Sequence, residues 1–259
     1  MDNRVNELLR AGKTVIGTMV AEFNDPNLPK MLAACGFDFF VIDCQHAFFD
    51  YKDVACLTTV GRGYGITPMV RAPNDDLNSI RKYLDLGIQG IILPEVDSAD
   101  QARRAVRASK YAPAGKRGLA LTRVHTGYQK INPAAYMAQA NEEILIIPQI
   151  ESAESVANID QITAVDGVDG VFVGPNDLSS DLGMYGQYTN QKYLDAVDRV
   201  IAGSRNNGKF YGMHTSSIED LNGWMDKGMQ FIIWHSEITL LMEMARGGIA
   251  KLKEHAKRS

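Results

Sequence analysis

Two short stretches of this chain hold the residue types that could do chemistry. Ile150-Glu151-Ser152 ends one apolar run, and Val171-Phe172-Val173-Gly174-Pro175-Asn176-Asp177-Leu178-Ser179 ends the next. Each reads as a buried strand running out into a carboxylate. The segment between them, Ala153 to Val165, reads as a helix. It would make the strands parallel neighbours in a βαβ unit, with Glu151 and Asp177 emerging at the same end of a sheet. Two hard oxygen donors there suit a divalent cation that keeps other positions open for water or substrate, Mg²⁺ or Mn²⁺ before a closed structural zinc. The competing reading makes Glu151 a helix cap and Asp177 the end of a turn, because acids just after strands also serve helix starts.

The elements that must position these acids alternate along the whole chain. Strands are expected at Thr14–Val20, Phe39–Cys44, Thr67–Arg71, Gly90–Pro94, Ile144–Ile150, Gly170–Gly174, Lys209–His214 and Phe231–His235, with a helical pattern after each. About eight βα units in a chain of this length favour a single closed α/β barrel, a (β/α)8 TIM barrel over 1–259, above an open doubly wound sheet. No Gly-x-Gly-x-x-Gly follows the first strand, and Gly61-Arg62-Gly63-Tyr64-Gly65 precedes a strand and reads as a turn. One long irregular insertion, Tyr111 to Asn132, carries Lys116, Arg117, Arg123 and His125. Such a loop covers an active site or an interface, or else is a solvated surface loop.

In a barrel of this kind, chemistry sits at the carboxyl ends of the strands. The polar residues falling there are Asp43, Cys44, Gln45 and His46 after the second strand, Arg71 at the third and Gln149 with Glu151 at the fifth. Asp177 follows the sixth, His214 ends the seventh and His235 the eighth. Three of the five histidines occupy such ends. A divalent ion on Glu151 and Asp177 can chelate a 2-oxo acid and polarise its carbonyl. Arg71 can add positive charge where an enolate develops, or pair internally with a strand-end acid such as Glu95. His46 can move a proton, with Asp43 available to orient its ring. Together these make enolate chemistry. No lysine stands at a strand end for a Schiff base, and no Gly-x-Ser-x-Gly follows a strand for a serine hydrolase.

Composition excludes other classes. Of 259 residues 45% are hydrophobic, ample for a large core, and 27 Lys and Arg against 31 Asp and Glu give a net charge of -4. There is no basic excess to attract nucleic acid or an anionic membrane. The apolar runs are strand-length and too short to span a bilayer. Three cysteines (Cys35, Cys44 and Cys56) and no secretory leader fit a reducing cytoplasm and a soluble protein.

Ile42-Asp43-Cys44-Gln45-His46-Ala47, Val70-Arg71-Ala72-Pro73, Gln149-Ile150-Glu151-Ser152 and Gly174-Pro175-Asn176-Asp177-Leu178-Ser179 together resemble the HpcH/HpaI aldolases, class II pyruvate aldolases. The resemblance extends to Gly115-Lys116-Arg117-Gly118 and Asp166-Gly167-Val168-Asp169-Gly170. It implies a (β/α)8 barrel whose last helix is exchanged between neighbours in a dimer, with three dimers in a homohexamer. It also implies Mg²⁺, Mn²⁺ or Co²⁺ on Glu151 and Asp177, His46 with Asp43 as the proton-transfer pair and Arg71 on the pyruvate enolate. Gln149 would contact the bound oxo acid, and backbone amides around Gly174, Pro175, Asn176 and Asp177 would receive its carboxylate. The reaction implied is reversible retro-aldol cleavage of a 4-hydroxy-2-oxo acid to pyruvate, or an analogue such as hydroxypyruvate, and an aldehyde. The alternatives are oxaloacetate decarboxylation or another enolate reaction on the same site, and a non-catalytic oxo-acid-binding protein.

Four positions depart from the family pattern. Gln45 stands for a usual Glu, which removes a negative charge beside the histidine and the metal. His214 replaces an apolar wall that contacts substrate, and Trp234 and His235 stand where smaller residues are common. These changes point to an altered pocket that tolerates a polar donor or acceptor. Asp85 matches a family acid placed near a neighbouring subunit's site, and an exposed helix acid is the simpler account of it.

Overall fold

The computed structural model describes residues 3–73 and 77–257. Eight parallel strands close in sequence order: β1 (Val15–Val20), β2 (Phe39–Asp43), β3 (Thr67–Arg71), β4 (Gly90–Leu93), β5 (Leu145–Ile150), β6 (Gly170–Val173), β7 (Phe210–Thr215) and β8 (Phe231–Ser236). At least one helix follows each strand, and β8 pairs back onto β1. The expected (β/α)8 barrel is the fold.

Alternation along the strands sorts the core into two layers. Phe39 and Val41, Met69, Leu145 and Ile147, Phe172, Phe210, Phe231 and Ile233 pack inside the barrel. Phe40, Ile42, Val70, Ile146, Ile150, Val171 and Ile232 face outward into the helix layer. Gly170 makes room for an inner aromatic, since a Cβ there would lie 2.3 Å from the Phe210 ring. The same parity carried upward places Asp43, Arg71, Gln149, Glu151 and His214 above the inner layer, where the barrel opens.

Register completes the placement. Asp43 lies directly across from Arg71 in the β2–β3 pair, and Ile150 across from Val173 in the β5–β6 pair, which sets Glu151 beside Gly174. The β8–β1 seam is tied by Glu237, whose buried carboxylate accepts the backbone N–H groups of Ala21, Glu22 and Phe23 at 2.6–3.0 Å. Glu95, just past β4, and His235, near the end of β8, have φ of 56°. Non-glycine residues rarely take this left-handed geometry, and it gathers at functional sites.

Three expectations change. The helix read over Ala153 to Val165 is two short helices, Ala153–Ala157 and Ile159–Thr163. They break at Asn158, whose amide donates to the Asp97 carbonyl at 2.8 Å. The long insertion holds one 3-10 turn, Val124–Thr126, and packs against the end of the helix Leu77–Asp85, on the face opposite the strand carboxyl ends. There Arg117 and His125 are buried while Lys116 and Arg123 stay exposed. Arg117 pairs with Asp85 at 3.0 Å, and the His125 Nδ1 lies 3.1 Å from the Asp85 carbonyl. This segment therefore does not cover its own barrel's mouth, and Asp85 is an ion-paired residue.

The last helix, Glu237–Ala256, buries only Glu237 and exposes Leu241, Met242, Met244, Ile249 and Leu252. Among the described residues no helix is long and apolar enough to cross a membrane.

Candidate active site

Asp43 and Arg71 form the best-defined pair in the mouth. The Arg71 guanidinium donates through Nε to Oδ1 at 3.0 Å and through Nη2 to Oδ2 at 2.6 Å, a two-pronged bond between nearly buried groups. Burial alone would raise the Asp43 carboxyl. The Arg71 hydrogen bond and charge, with the backbone N–H groups of Gln45 and His46, hold it below its ordinary value instead. The strand-end acid that pairs with Arg71 is thus Asp43 in place of Glu95, and Asp43 also accepts from the backbone of the loop that carries His46. The His46 side chain is exposed beside the mouth.

Glu151 is 6% exposed. Its Oε1 accepts the Glu95 backbone N–H at 2.6 Å, and its Oε2 accepts the Gln149 amide. The left-handed Glu95 aims that N–H, a contribution no side-chain pattern in the sequence announces. Desolvation nevertheless raises the Glu151 carboxyl above its ordinary value, and the neighbouring Asp177 charge adds to the rise while Arg71 opposes it. Gly174 leaves the needed space, because a Cβ there would sit 2.6 Å from Glu151 Oε2 and 3.0 Å from Gln149 Nε2. It precedes the helix Pro175–Asp181, whose first turn presents exposed Asn176 and Asp177.

This donor set fits a divalent cation. Glu151 is a desolvated carboxylate that feels the Asp177 charge, a repulsion a cation would relieve, and Gln149 Oε1 is a buried oxygen with no hydrogen-bond partner. Among the described residues no trio of His, Cys, Asp and Glu is gathered, and a cation held there would rest on Glu151 and Asp177 with other oxygens completing its shell.

His214, near the end of β7, lies in the mouth within electrostatic reach of Arg71 and Asp43. Desolvation, then the Arg71 and His235 charges, push its imidazole down to about 4, which keeps it neutral near pH 7. The His214 ring also hydrogen-bonds the His235 backbone, so that departure adjoins it. His235 Nδ1 lies 3.1 Å from Thr239 Oγ1 and Nε2 3.3 Å from Glu243 on the last helix, while Trp234 packs outside the barrel near Phe37 and donates to the Ser216 carbonyl. Gln45 keeps its Oε1 buried and unpartnered.

Sequence comparison decides the relationship. The HpcH/HpaI aldolase/citrate lyase family model matches residues 18–243. The chain belongs to that family. It is 32% identical over 249 residues to the hydroxypyruvate/pyruvate aldolase of Roseovarius nubinhibens, covering 96% of each chain. It is also 32% identical to the 4-hydroxy-2-oxo-heptane-1,7-dioate aldolase of Escherichia coli, over 99% of this chain and 97% of the other. The crystal structure of an HpcH/HpaI aldolase from Desulfitobacterium hafniense superposes with a TM-score of 0.93 at 33% identity over 96% of each chain. HpcH/HpaI membership makes the chain an enzyme of a carbon–carbon lyase family, as the strand-end residues led one to expect.

Proposed function

We propose that this enzyme is a class II aldolase that reversibly cleaves a 4-hydroxy-2-oxo acid to an aldehyde and pyruvate or hydroxypyruvate. One observation carries the reading: a nearly buried guanidinium fixed by a carboxylate across one strand pair, within electrostatic reach of buried Glu151 in the same mouth. Mg²⁺, Mn²⁺ or Co²⁺ held by Glu151 and Asp177 would chelate the oxo-acid oxygens and polarise the carbonyl. The first-turn amides of Asn176 and Asp177, left unbonded by the helix, face the oxo-acid carboxylate, and Gln149 lies against the same group.

In the cleavage direction the C4 hydroxyl proton leaves toward the exposed His46. The C4–O electron pair becomes the aldehyde carbonyl, and the C3–C4 pair flows into C2–C3. Negative charge then builds on the C2 oxygen, where Arg71 stabilises it, and a proton added at C3 completes the pyruvate. Asp43 fixes the guanidinium plane so that little reorganisation is needed at that moment.

A neutral imidazole at His214 offers a ring nitrogen to a C3 hydroxyl on the donor, which supports hydroxypyruvate use; the Roseovarius relative is named for that donor. The exposed apolar side chains of the last helix support a homo-oligomer, and the family resemblance implies a hexamer built as a trimer of dimers. The three free cysteines suit the cytoplasm.

The test is proton NMR of pyruvate in D₂O with chelator-treated enzyme, with and without added Mg²⁺, the ion being removed before detection. Loss of the methyl signal that requires the ion and falls about 100-fold in Arg71→Lys is expected. No exchange with either pyruvate or hydroxypyruvate would defeat the proposal.

A further inference from the structure

The insertion Tyr111 to Asn132 and the Gly61-Arg62-Gly63 stretch, neither of which the steps above use, meet in one cleft of about 400 Å³. Three elements wall it. Arg62 comes from the last turn of the helix Tyr51–Gly63, His125 from the 3-10 turn, and Asn132 and Tyr136 from the start of the helix Pro133–Glu143. None of the described residues lining the cleft is Asp or Glu.

The groups on these walls lack complementary things. His125 is 1% exposed, and its Nδ1 donates to the Asp85 carbonyl 3.1 Å away, because a carbonyl can only accept. In the neutral ring Nε2 is then a bare lone pair, and it is buried without a partner. Burial, then the Arg117 and Arg62 charges, hold this imidazole below its ordinary value, while the Asp85 carbonyl and charge oppose them. Tyr136, whose ring centroid lies 5.8 Å from that of His125, spends its hydroxyl on the His125 carbonyl. Arg62 lacks an acceptor instead. Among the described residues no hydrogen bond or ion pair engages its guanidinium, and the Glu143 charge that reaches it sits on a carboxylate accepting the Gln139 amide at 2.6 Å. The eleven-residue helix Pro133–Glu143 begins at the same wall with proline in its first turn and no acid there, so its own residues leave the positive end of its dipole unneutralised.

An occupant that satisfies all three needs anionic oxygens for Arg62 and the helix start, and one O–H for His125 Nε2. Sulfate or a carboxylate near pH 7 brings the oxygens without the proton, and an alcohol brings the proton without the charge. Hydrogen phosphate brings both. We infer that this cleft binds a phosphate group, free or carried by a small metabolite, with its charged oxygens on Arg62 and the helix start and its O–H on His125 Nε2. The site lies apart from the barrel mouth and does not depend on the aldolase reading.

The experiment is calorimetric titration of the chelator-treated enzyme with inorganic phosphate, glycerol 3-phosphate and sulfate, for the native chain, Arg62→Gln and Arg71→Lys. Native enzyme should bind phosphate about tenfold more tightly than sulfate at about pH 7.5, with the gap narrowing toward about pH 5.5 as His125 takes up the proton that sulfate lacks. Arg62→Gln should weaken phosphate by about tenfold or more while circular dichroism and pyruvate methyl exchange stay within about twofold, and Arg71→Lys should leave phosphate affinity within about twofold. Glycerol 3-phosphate binding at least as tightly as phosphate assigns the site to a phosphorylated metabolite, and weaker binding assigns it to the free ion. No saturable phosphate binding, equal affinity for sulfate at about pH 7.5, or binding that Arg71→Lys abolishes and Arg62→Gln spares would overturn the inference.

Discussion

At the top of β3 one guanidinium is given a partner before any substrate arrives. Pairing with Asp43 spends the Nε and one Nη of Arg71, which fixes the plane while leaving N–H groups for the reacting oxygen. Lysine keeps the charge and loses the fork, so Arg71→Lys should retain oxo-acid binding better than it retains turnover. Comparing kcat with KM for cleavage checks this. His214 is a pH-sensitive group as well as a wall. Its folded value of about 4 lies below the ordinary 6.5, so the unfolded chain takes up the proton first. The stability it contributes is complete above about pH 6.5 and is lost as pH falls toward 4. His214→Leu should therefore flatten the fall in Tm between about pH 7 and pH 5, and should lower hydroxypyruvate turnover relative to pyruvate. An unchanged turnover ratio would sink the donor assignment. These residues were legible from strand ends alone, because parity fixes where a side chain points. Their bonds were not, because whether Asp43 meets a ring or a guanidinium depends on the β2–β3 register.

Among the elements, the β6 end is the most demanding. Gly174 faces Glu151 with no room for a methyl, so Gly174→Ala should displace that carboxylate and cut the ion-dependent exchange by about tenfold or more while the barrel still forms. Calorimetry of Mg²⁺ binding, paired with circular dichroism, separates the two effects. Strand limits were readable within one residue because apolar runs bounded by Gly, Pro and Asp are a strong local signal. The break at Asn158 was not, since it depends on a carbonyl at Asp97, far away in the chain. The long insertion shows the same limit. Its cationic residues looked like surface or lid groups, yet Arg117 stacks on the Tyr111 ring at 4.6 Å and pairs with Asp85, contacts set by tertiary packing.

For the whole molecule, the last helix is the unfinished surface. A helix exposing Met244 at 79% and Leu252 at 68% has an apolar face larger than a lone chain in water keeps uncovered without cost. Light scattering should give a mass several times the 28.5 kDa of one chain. Charged substitutions at Met244 and Leu252 together should lower it; a native mass of one chain would reject the oligomer. Glu237, at the root of this helix, has a different consequence. Three successive amides of the β1 loop converge on its carboxylate, and such a cradle would otherwise welcome any passing anion at the mouth of the barrel. The chain supplies that anion itself. On the proposed reading, a substrate acid arriving at the mouth would find this rival berth already taken, so the amides beside Gly174 would be left to receive it and its carbonyl would be turned toward Arg71.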